Sequence, residues 1–303
     1  MIPATSSPTD TLAALAQPAI FVTGTRVHWI GELTLADAAD PAELAAALAA
    51  TRAELGTNTV MAVGPDLWPR LFDVPAPADH HPLLARTGVT GRSMPAAQAD
   101  LFVWLHGDAS DRLMTDVLAL RRGLGPLLEL RSERWGYTYL ESQDLTGFED
   151  GTENPPIEEA PEVALIPDGP LAGASHVLGQ TWRHDLDGFH RLDVAGQEAV
   201  IGRTKEGSIE LDEVPEDSHL GRVVIEEDGE ELEIWRRSVP WGGYDEHGLY
   251  FLAFSADPHR FEAMLDAMFA VDAPPHDRLT DFSTPTTGAR YLAPPVALLD
   301  ALG

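Results

Sequence analysis

The sequence predicts an α+β fold built from two similar halves, and three observations carry that reading. Apolar and aromatic residues alternate along several short runs bounded by turn-formers, the pattern of antiparallel strands. Capped helical segments are segregated from these runs, which argues against a doubly wound parallel sheet. Leu101–Leu105, followed by Asp108 and a helix, also resembles Leu249–Phe254, followed by Asp257 and a helix: a faint internal repeat.

In chain order, residues 1–16 read as a loose Pro/Ser/Thr arm, and Ala19–Val22 and Val27–Ile30 as strands. Asp40 as cap, Pro41 at the first position and Glu43 in the first turn open a helix to about Leu55, closed by Gly56. Thr59–Val63 and Ala99–His106 are strands, separated by short Pro-rich turns. Asp108–Gly123 is an amphipathic helix with Leu113, Val117 and Leu120 on one face. Arg134–Glu141 follows as a strand with Trp135, Tyr137 and Tyr139 alternating. After a Pro/Glu-rich connector come a strand at Ala174–Asp185 and a helix that starts at Asp193 and ends at Gly202. Strands at Val223–Ile225 and Leu232–Trp235 flank the turn Asp228-Gly229. Leu249–Ser255 is a strand, Asp257-Pro258 opens a helix to about Val271, and the tail is Pro-rich.

Bulk composition excludes several classes of function. The chain has 303 residues, 44% of them hydrophobic, enough for one large or two ordinary domains with a substantial core. A formal charge of −29 argues against nucleic acid and anionic membranes as partners, because both need a cationic face. The same charge suits solubility and an acidic working pH. Lys205 is the only lysine. Cysteine is absent, which removes disulfides, thiol nucleophiles and cysteine–zinc sites. No Lys or Arg precedes Arg26, so the basic n-region of a secretory signal and a twin-arginine pair are both missing, and no apolar run reaches the roughly 18 residues of a membrane span. A cytoplasmic protein is expected.

The stretch Gly147-Phe148-Glu149-Asp150-Gly151-Thr152-Glu153-Asn154-Pro155 stands at the midpoint and is too rich in turn-formers and acids for a regular element. Taken alone it reads as a solvated linker. A calcium loop is excluded by spacing, since no glycine follows in register. Two later segments give it meaning: Pro215-Glu216-Asp217-Ser218-His219-Leu220, and Ile234-Trp235-Arg236-Arg237-Ser238-Val239-Pro240-Trp241-Gly242. Each has a plain alternative, a solvated histidine in one and a surface ion-pair arginine in the other.

Together these segments resemble the dye-decolorizing peroxidase family, specifically its shorter bacterial members. Gly147-x-x-Asp150-Gly151 matches the family signature, the His219 segment its haem-ligand motif, and Arg236-x-Ser238 its distal arginine and the polar residue after it. Asp281-Phe282-Ser283, Thr287-Gly288 and Pro294 match its closing block. The likeness is clear over about residues 130–295 and looser before. It implies two ferredoxin-like domains with antiparallel sheets and flanking helices, spanning 1–145 and 146–303, and one haem b per chain in the C-terminal half.

The resemblance also implies roles. His219 is the axial iron ligand, and a carboxylate on its far nitrogen orients the imidazole and makes it more electron-donating. Asp281 is expected in that place, with Asp277 as the alternative. Asp150 is the base and then the acid for peroxide, Arg236 stabilises the charge that develops on O–O cleavage, and Ser238 hydrogen-bonds the distal water or peroxide. Many relatives carry Asn at the Ser238 position. Gly151, Thr152 and Glu153 lie beside the haem edge, and Arg203 is a propionate partner or else a surface ion pair. Leu252 and Phe254 form the apolar distal wall or else pack in the core.

The implied activity is a haem peroxidase that forms a ferryl intermediate with hydrogen peroxide and oxidises dyes, phenols and similar small organic reductants. Large dyes would need electron transfer through Trp or Tyr to the surface. The alternative is a haem-handling or iron-release protein on the same scaffold. A third reading, an acidic interaction protein without cofactor, leaves all these matches to coincidence. Self-association as a homo-oligomer is expected. Packaging into a nanocompartment is not, because Pro294–Gly303 has no long Gly/Ser-rich extension.

Overall fold

The computed structural model describes residues 8–303. Of the expected N-terminal arm, residues 1–7 lie outside the described residues, and Pro8–Ala13 is a short helix. The first half then runs β1 (Val27–Leu35), α1 (Pro41–Glu54), β2 (Asn58–Val63), β3 (Leu101–Gly107), α2 (Ser110–Leu124) and β4 (Leu128–Tyr137). The second runs β5 (Ser175–His184), α3 (Val194–Ile201), α4 (His219–Val223), β6 (Val239–Gly242), β7 (His247–Ser255), α5 (His259–Phe269) and β8 (Ala289–Ala293).

Among the described residues these eight strands close into a ring, β4-β1-β3-β2-β8-β5-β7-β6, with every pairing antiparallel. Each half contributes four adjacent strands in the same relative order, fourth-first-third-second. The halves meet at two narrow seams, Trp241 opposite Gly136 and Leu292 opposite Val63. A Cβ on Gly136 would stand 2.6 Å from Val239 Cγ2, so glycine is what lets the first seam close. Two short stretches prolong the ring: Trp235–Arg236 continues the line of β6 along β7, and Ser283–Pro285 continues that of β8 along β5.

The strand period of two sorts the core. Ile30, Val60, Phe102, Trp104, Val177, Tyr250 and Tyr291 fill the barrel interior. Outside the first half, α1 and α2 press Leu44, Leu48, Leu113 and Leu120 onto Trp29, Met61, Leu101 and Val103. Outside the second half, α5 offers Phe261, Leu265 and Met268 to Leu178, Trp182 and Ala253.

Local chemistry sets the ends. Asp40 accepts the Ala42 N–H at 2.9 Å and Pro41 opens α1. Asp193 accepts the Gly196 N–H at 2.8 Å, and α3 stops at Gly202, whose φ of +95° suits glycine.

Several expectations are corrected. Ala19–Val22 is no strand: Pro18 opens a 3₁₀ turn whose bonds run Ile20 N–H to Gln17 O and Phe21 N–H to Pro18 O. Val223 ends a helix that Ser218 caps, instead of starting a strand, and the turn at Asp228-Gly229 joins only two-residue strands. β4 begins six residues before the expected Arg134. The Pro-rich tail holds β8, one of the ring's own strands.

Candidate active site

A cavity lies between the outer face of β5 and β7 and helix α5. It is walled by Leu178, Trp182, Leu249, Phe251, Phe261 and Met264. Its empty space, open solvent at the mouth included, is about 1040 Å³. Leu249 and Phe251 face it, so Tyr250, Leu252 and Phe254 point the other way. Leu252 and Phe254 are packed in the barrel interior and do not form a wall of this cavity. The reason is phase: the cavity takes the odd-numbered residues of β7.

His219 enters from the first turn of α4. Ser218 caps that turn, accepting the Gly221 N–H at 3.1 Å and donating to Pro215 O at 2.7 Å. Nδ1 of His219 lies 2.6 Å from Asp277 Oδ2, and the Asp277 side chain is fully buried. The other Asp277 oxygen accepts the Leu279 N–H at 2.8 Å. A carboxylate can only accept, so Nδ1 carries a proton, and in the neutral ring that leaves the lone pair on Nε2; His219 lines the cavity. Asp281 does not take this place. It stands one turn later, at the end of Arg278–Asp281, and pairs with Arg92 and with His276 Nε2 at 3.1 Å.

Asp150 and Arg236 line the same cavity. The loop that carries Asp150 is folded on itself. Asp144 Oδ1 accepts the N–H and hydroxyl of Thr146 at 2.8 and 2.6 Å, and the Asp150 N–H donates to Ser142 O at 2.9 Å. Gly147 and Gly151 take φ of +86° and +84°, and Phe148 is buried edge-on to Phe189. Asp150 is half-buried, and it borders the hollows on three sides of the loop. Burial pushes its carboxyl above the usual carboxylate range. Arg236 opposes the rise and Asp144 adds to it, while the Gly151 amide and His219 oppose it further. Arg236 Nε is buried with no hydrogen-bond partner, while its backbone N–H and C=O are both held by Asn154 at 2.9 Å.

Ser238 lies behind this pair rather than in the main cavity. It lines a second, polar hollow with Thr25, His28, Tyr139 and Gln143 that also reaches Asp150 and Arg236. Gly151, Thr152, Glu153 and Arg203 line a smaller recess beside His219. There Arg203 is engaged by Glu153, by Glu210 at 3.0 Å and by Ser208 O at 2.5 Å, so its ion pairs sit at the cavity rim.

Sequence reasoning missed one polar wall. His184 Nε2 lies 3.1 Å from Asp144 Oδ2, and its Nδ1 lies 2.8 Å from Ser283 Oγ. Burial alone would raise Asp144, but the bond and charge of His184, with both Thr146 bonds, hold it below the usual range. The available signal was periodicity, since Leu178, Gln180, Trp182 and His184 alternate along β5 and all face the cavity.

A sequence model of the family "Dyp-type peroxidase, C-terminal" matches residues 141–298. The dye-decolorizing peroxidase of Mycolicibacterium paratuberculosis is 35% identical over 302 residues, covering 97% of this chain and 85% of that protein. Among solved structures, the encapsulated DyP-type peroxidase from Mycobacterium smegmatis superposes with a TM-score of 0.89 at 33% identity, covering 95% of this chain and 98% of that one. A variant of DypB from Rhodococcus jostii RHA1 in complex with heme gives 0.88 at 31% identity, covering 96% and 100%.

Proposed function

This chain belongs to the Dyp-type peroxidase family, and on that premise we propose that it is a haem peroxidase that reduces hydrogen peroxide at the expense of dyes, phenols and similar organic donors. The observation that carries the reading is the placement of His219, backed by Asp277, in one apolar cavity with Asp150 and Arg236.

The donor set fits a haem. Aromatic and aliphatic walls suit a flat macrocycle, His219 has its Nδ1 engaged by Asp277 and its Nε2 left to serve as ligand, and the unpartnered Nε of Arg236 awaits a polar group. A haem bound there would supply the electron-transfer chemistry between peroxide and the organic donor. His219 would hold the iron, with Asp277 fixing the ring's tautomer and orientation. Asp150 takes the proton from one peroxide oxygen and returns it to the other, so that the second leaves as water. Arg236 stabilises the negative charge on the departing oxygen. Ser238 orders water in the polar hollow that leads to this pair. Gly151, Thr152, Glu153 and Arg203 border the haem edge.

The repeated fourth-first-third-second strand order, with a helix after the first and third strands of each half, supports two ferredoxin-like domains, 1–145 and 146–303. Haem belongs to the second. Among the described residues no helix is long and apolar enough to cross a membrane, and we read the protein as cytoplasmic and self-associating. The encapsulated relative opens packaging to this chain as well, against the expectation from its C-terminal residues; co-purification with a shell protein tests that.

The test uses haem-loaded protein. Asp150→Ala and Arg236→Ala each lower the second-order rate constant with peroxide by about 10²–10³-fold at unchanged haem content. His219→Ala loses the wild-type ligation spectrum. Asp150 must be ionised to act, so the rate falls as pH drops through a midpoint above its ordinary 3.8. A rate flat through that range removes Asp150 from the role. Peroxide that only bleaches the haem moves the haem-handling reading ahead.

A further inference from the structure

We propose that Asn154 is a positioning residue that sets the spacing between Asp150 and Arg236. The inference rests on the peroxidase reading and extends it to a residue that lines the polar hollow behind Asp150 and Arg236 but not the cavity of His219.

The observation concerns a strand that has run out of neighbours. Over Val239–Gly242, β6 lies between β7 on one side and β4 on the other. Its continuation Trp235–Arg236 keeps β7, through Trp235 opposite Phe254 and Arg236 opposite Ala253. On the other side β4 supplies no partner here. The Arg236 N–H donates to Asn154 Oδ1 at 2.9 Å, and Arg236 O accepts from Asn154 Nδ2 at 2.9 Å. A primary amide carries one acceptor and one donor side by side, as the edge of a strand does, so one side chain replaces the missing neighbour. The two partners also fix which end of the amide is oxygen. No other side chain of this length serves. Aspartate accepts but would set a carboxylate against Arg236 O, and leucine makes neither bond.

Asn154 is itself tied to the Asp150 loop. Its N–H donates to Gly151 O at 3.0 Å, closing a turn directly after Asp150. Gly151 takes φ of +84°, and a Cβ there would stand 3.3 Å from Asn154 Nδ2, pressing on the amide. Pro155 restricts the Asn154 backbone to extended conformations. The next residue along the strand is anchored independently. Arg237 bonds Ile20 O and Val22 O at 2.8 and 2.6 Å, and its guanidinium lies 5.1 Å from the Trp104 ring centre. The Arg236 backbone is therefore gripped from both sides, and only the Asn154 grip leads to Asp150.

The consequence is electrostatic as well as geometric. The charges acting on Asp150 are Arg236, Asp144 and His219, and Arg236 is the strongest of those opposing the burial of the carboxyl. Freeing the Arg236 backbone lets the guanidinium withdraw, which raises the proton affinity of Asp150 and loosens the alignment of both groups. Misplacement by about 1 Å costs on the order of 10²-fold in rate.

The experiment compares haem-loaded wild type, Asn154→Ala, Asn154→Ser and Arg236→Ala. The expected result for Asn154→Ala is a fall of about 10- to 100-fold in the peroxide rate constant. The acid limb moves to higher pH, in the direction Arg236→Ala moves it, and amide exchange over 235–237 quickens. The serine variant, able to restore one of the two bonds, recovers part of the rate and of the pH shift. Unchanged rate and pH profile in Asn154→Ala overturn the proposal. A lower melting temperature with an unmoved acid limb also overturns it, because that is a structural role alone. If Asn154→Ala does not fold, the serine variant decides by the same two readouts. Should Arg236→Ala itself leave the peroxide rate intact, the peroxidase assignment of the site fails, a result distinct from failure of the Asn154 grip alone.

Discussion

The two halves share a strand order and differ in what covers it. In the first, α1 and α2 lie flat on the sheet, and leucines fill the layer between. In the second, α5 packs on only part of β5 and β7, and the polar residues Asp150, Arg236, His184 and His219 open onto the gap that is left. The same framework is thus filled throughout in one half and left partly hollow in the other. A close-packed layer gives up stability when an atom is lost; a hollow has already forgone those contacts and recovers them only from a ligand.

That contrast can be broken by measurement. Leu44→Ala, in the filled half, should lower the stability of the haem-free protein by about 2–5 kcal/mol in urea unfolding. Phe251→Ala faces the gap and should lose less than half as much without haem and more with it. Equal losses in the haem-free state would mean the second half closes up when empty.

A smaller effect tests what the hollow is built for. Asp277→Asn should reduce haem affinity or the peroxide rate by about 10- to 100-fold, since the partner of a metal-ligating imidazole has that influence. Asp281→Asn, at an exposed ion pair with Arg92, should leave both within about twofold. The reverse ranking would restore Asp281 to the role expected from sequence.

The third measurement concerns regions shared by the halves. His28 and His106, stacked with Trp104, are held at about 4 and 3. His80 and His176, near Arg290, are held at about 3 and 4. Burial is the leading cause in all four. The unfolded chain protonates these groups near 6.5, so stability is full above that value and is lost as pH falls toward 4. At pH 5 each contributes a loss on the order of 2 kcal/mol. Thermal melts at pH 7 and 5 should therefore diverge, and His106→Gln should narrow the gap. An unchanged midpoint would show that these rings meet protons without unfolding. The sequence suggested an acidic working pH from the charge of −29, and these histidines set a limit on it.

Legibility in the sequence followed how local each signal was. The caps of α1 and α3, and most strands, were readable because a few neighbouring residues decide them. The pairing of His219 was not, because Asp277 and Asp281 lie four residues apart in one short segment, and only the direction of a 3₁₀ turn chooses between them. Leu252 and Phe254 were left between cavity wall and core for another reason. β7 is apolar on both faces, so alternation gives its period but not its phase, and nothing local says which side holds the cavity. β8 escaped notice because a five-residue run among prolines carries almost no pattern. The role of Asn154 is a contact across 82 residues and has no local signature at all.

Closing the sheet into a ring also bears on how this protein behaves in a crowd. An open sheet offers unpaired amides to any passing strand, which is the start of edge-to-edge aggregation. Here β4 and β2, the outer strands of the first half, are each joined to a strand of the second. The side of Trp235–Arg236 turned away from β7 is stoppered by the Asn154 amide. Removing that amide would uncover a short sticky edge next to the site, so a variant made to study peroxide chemistry should also be watched for slow precipitation.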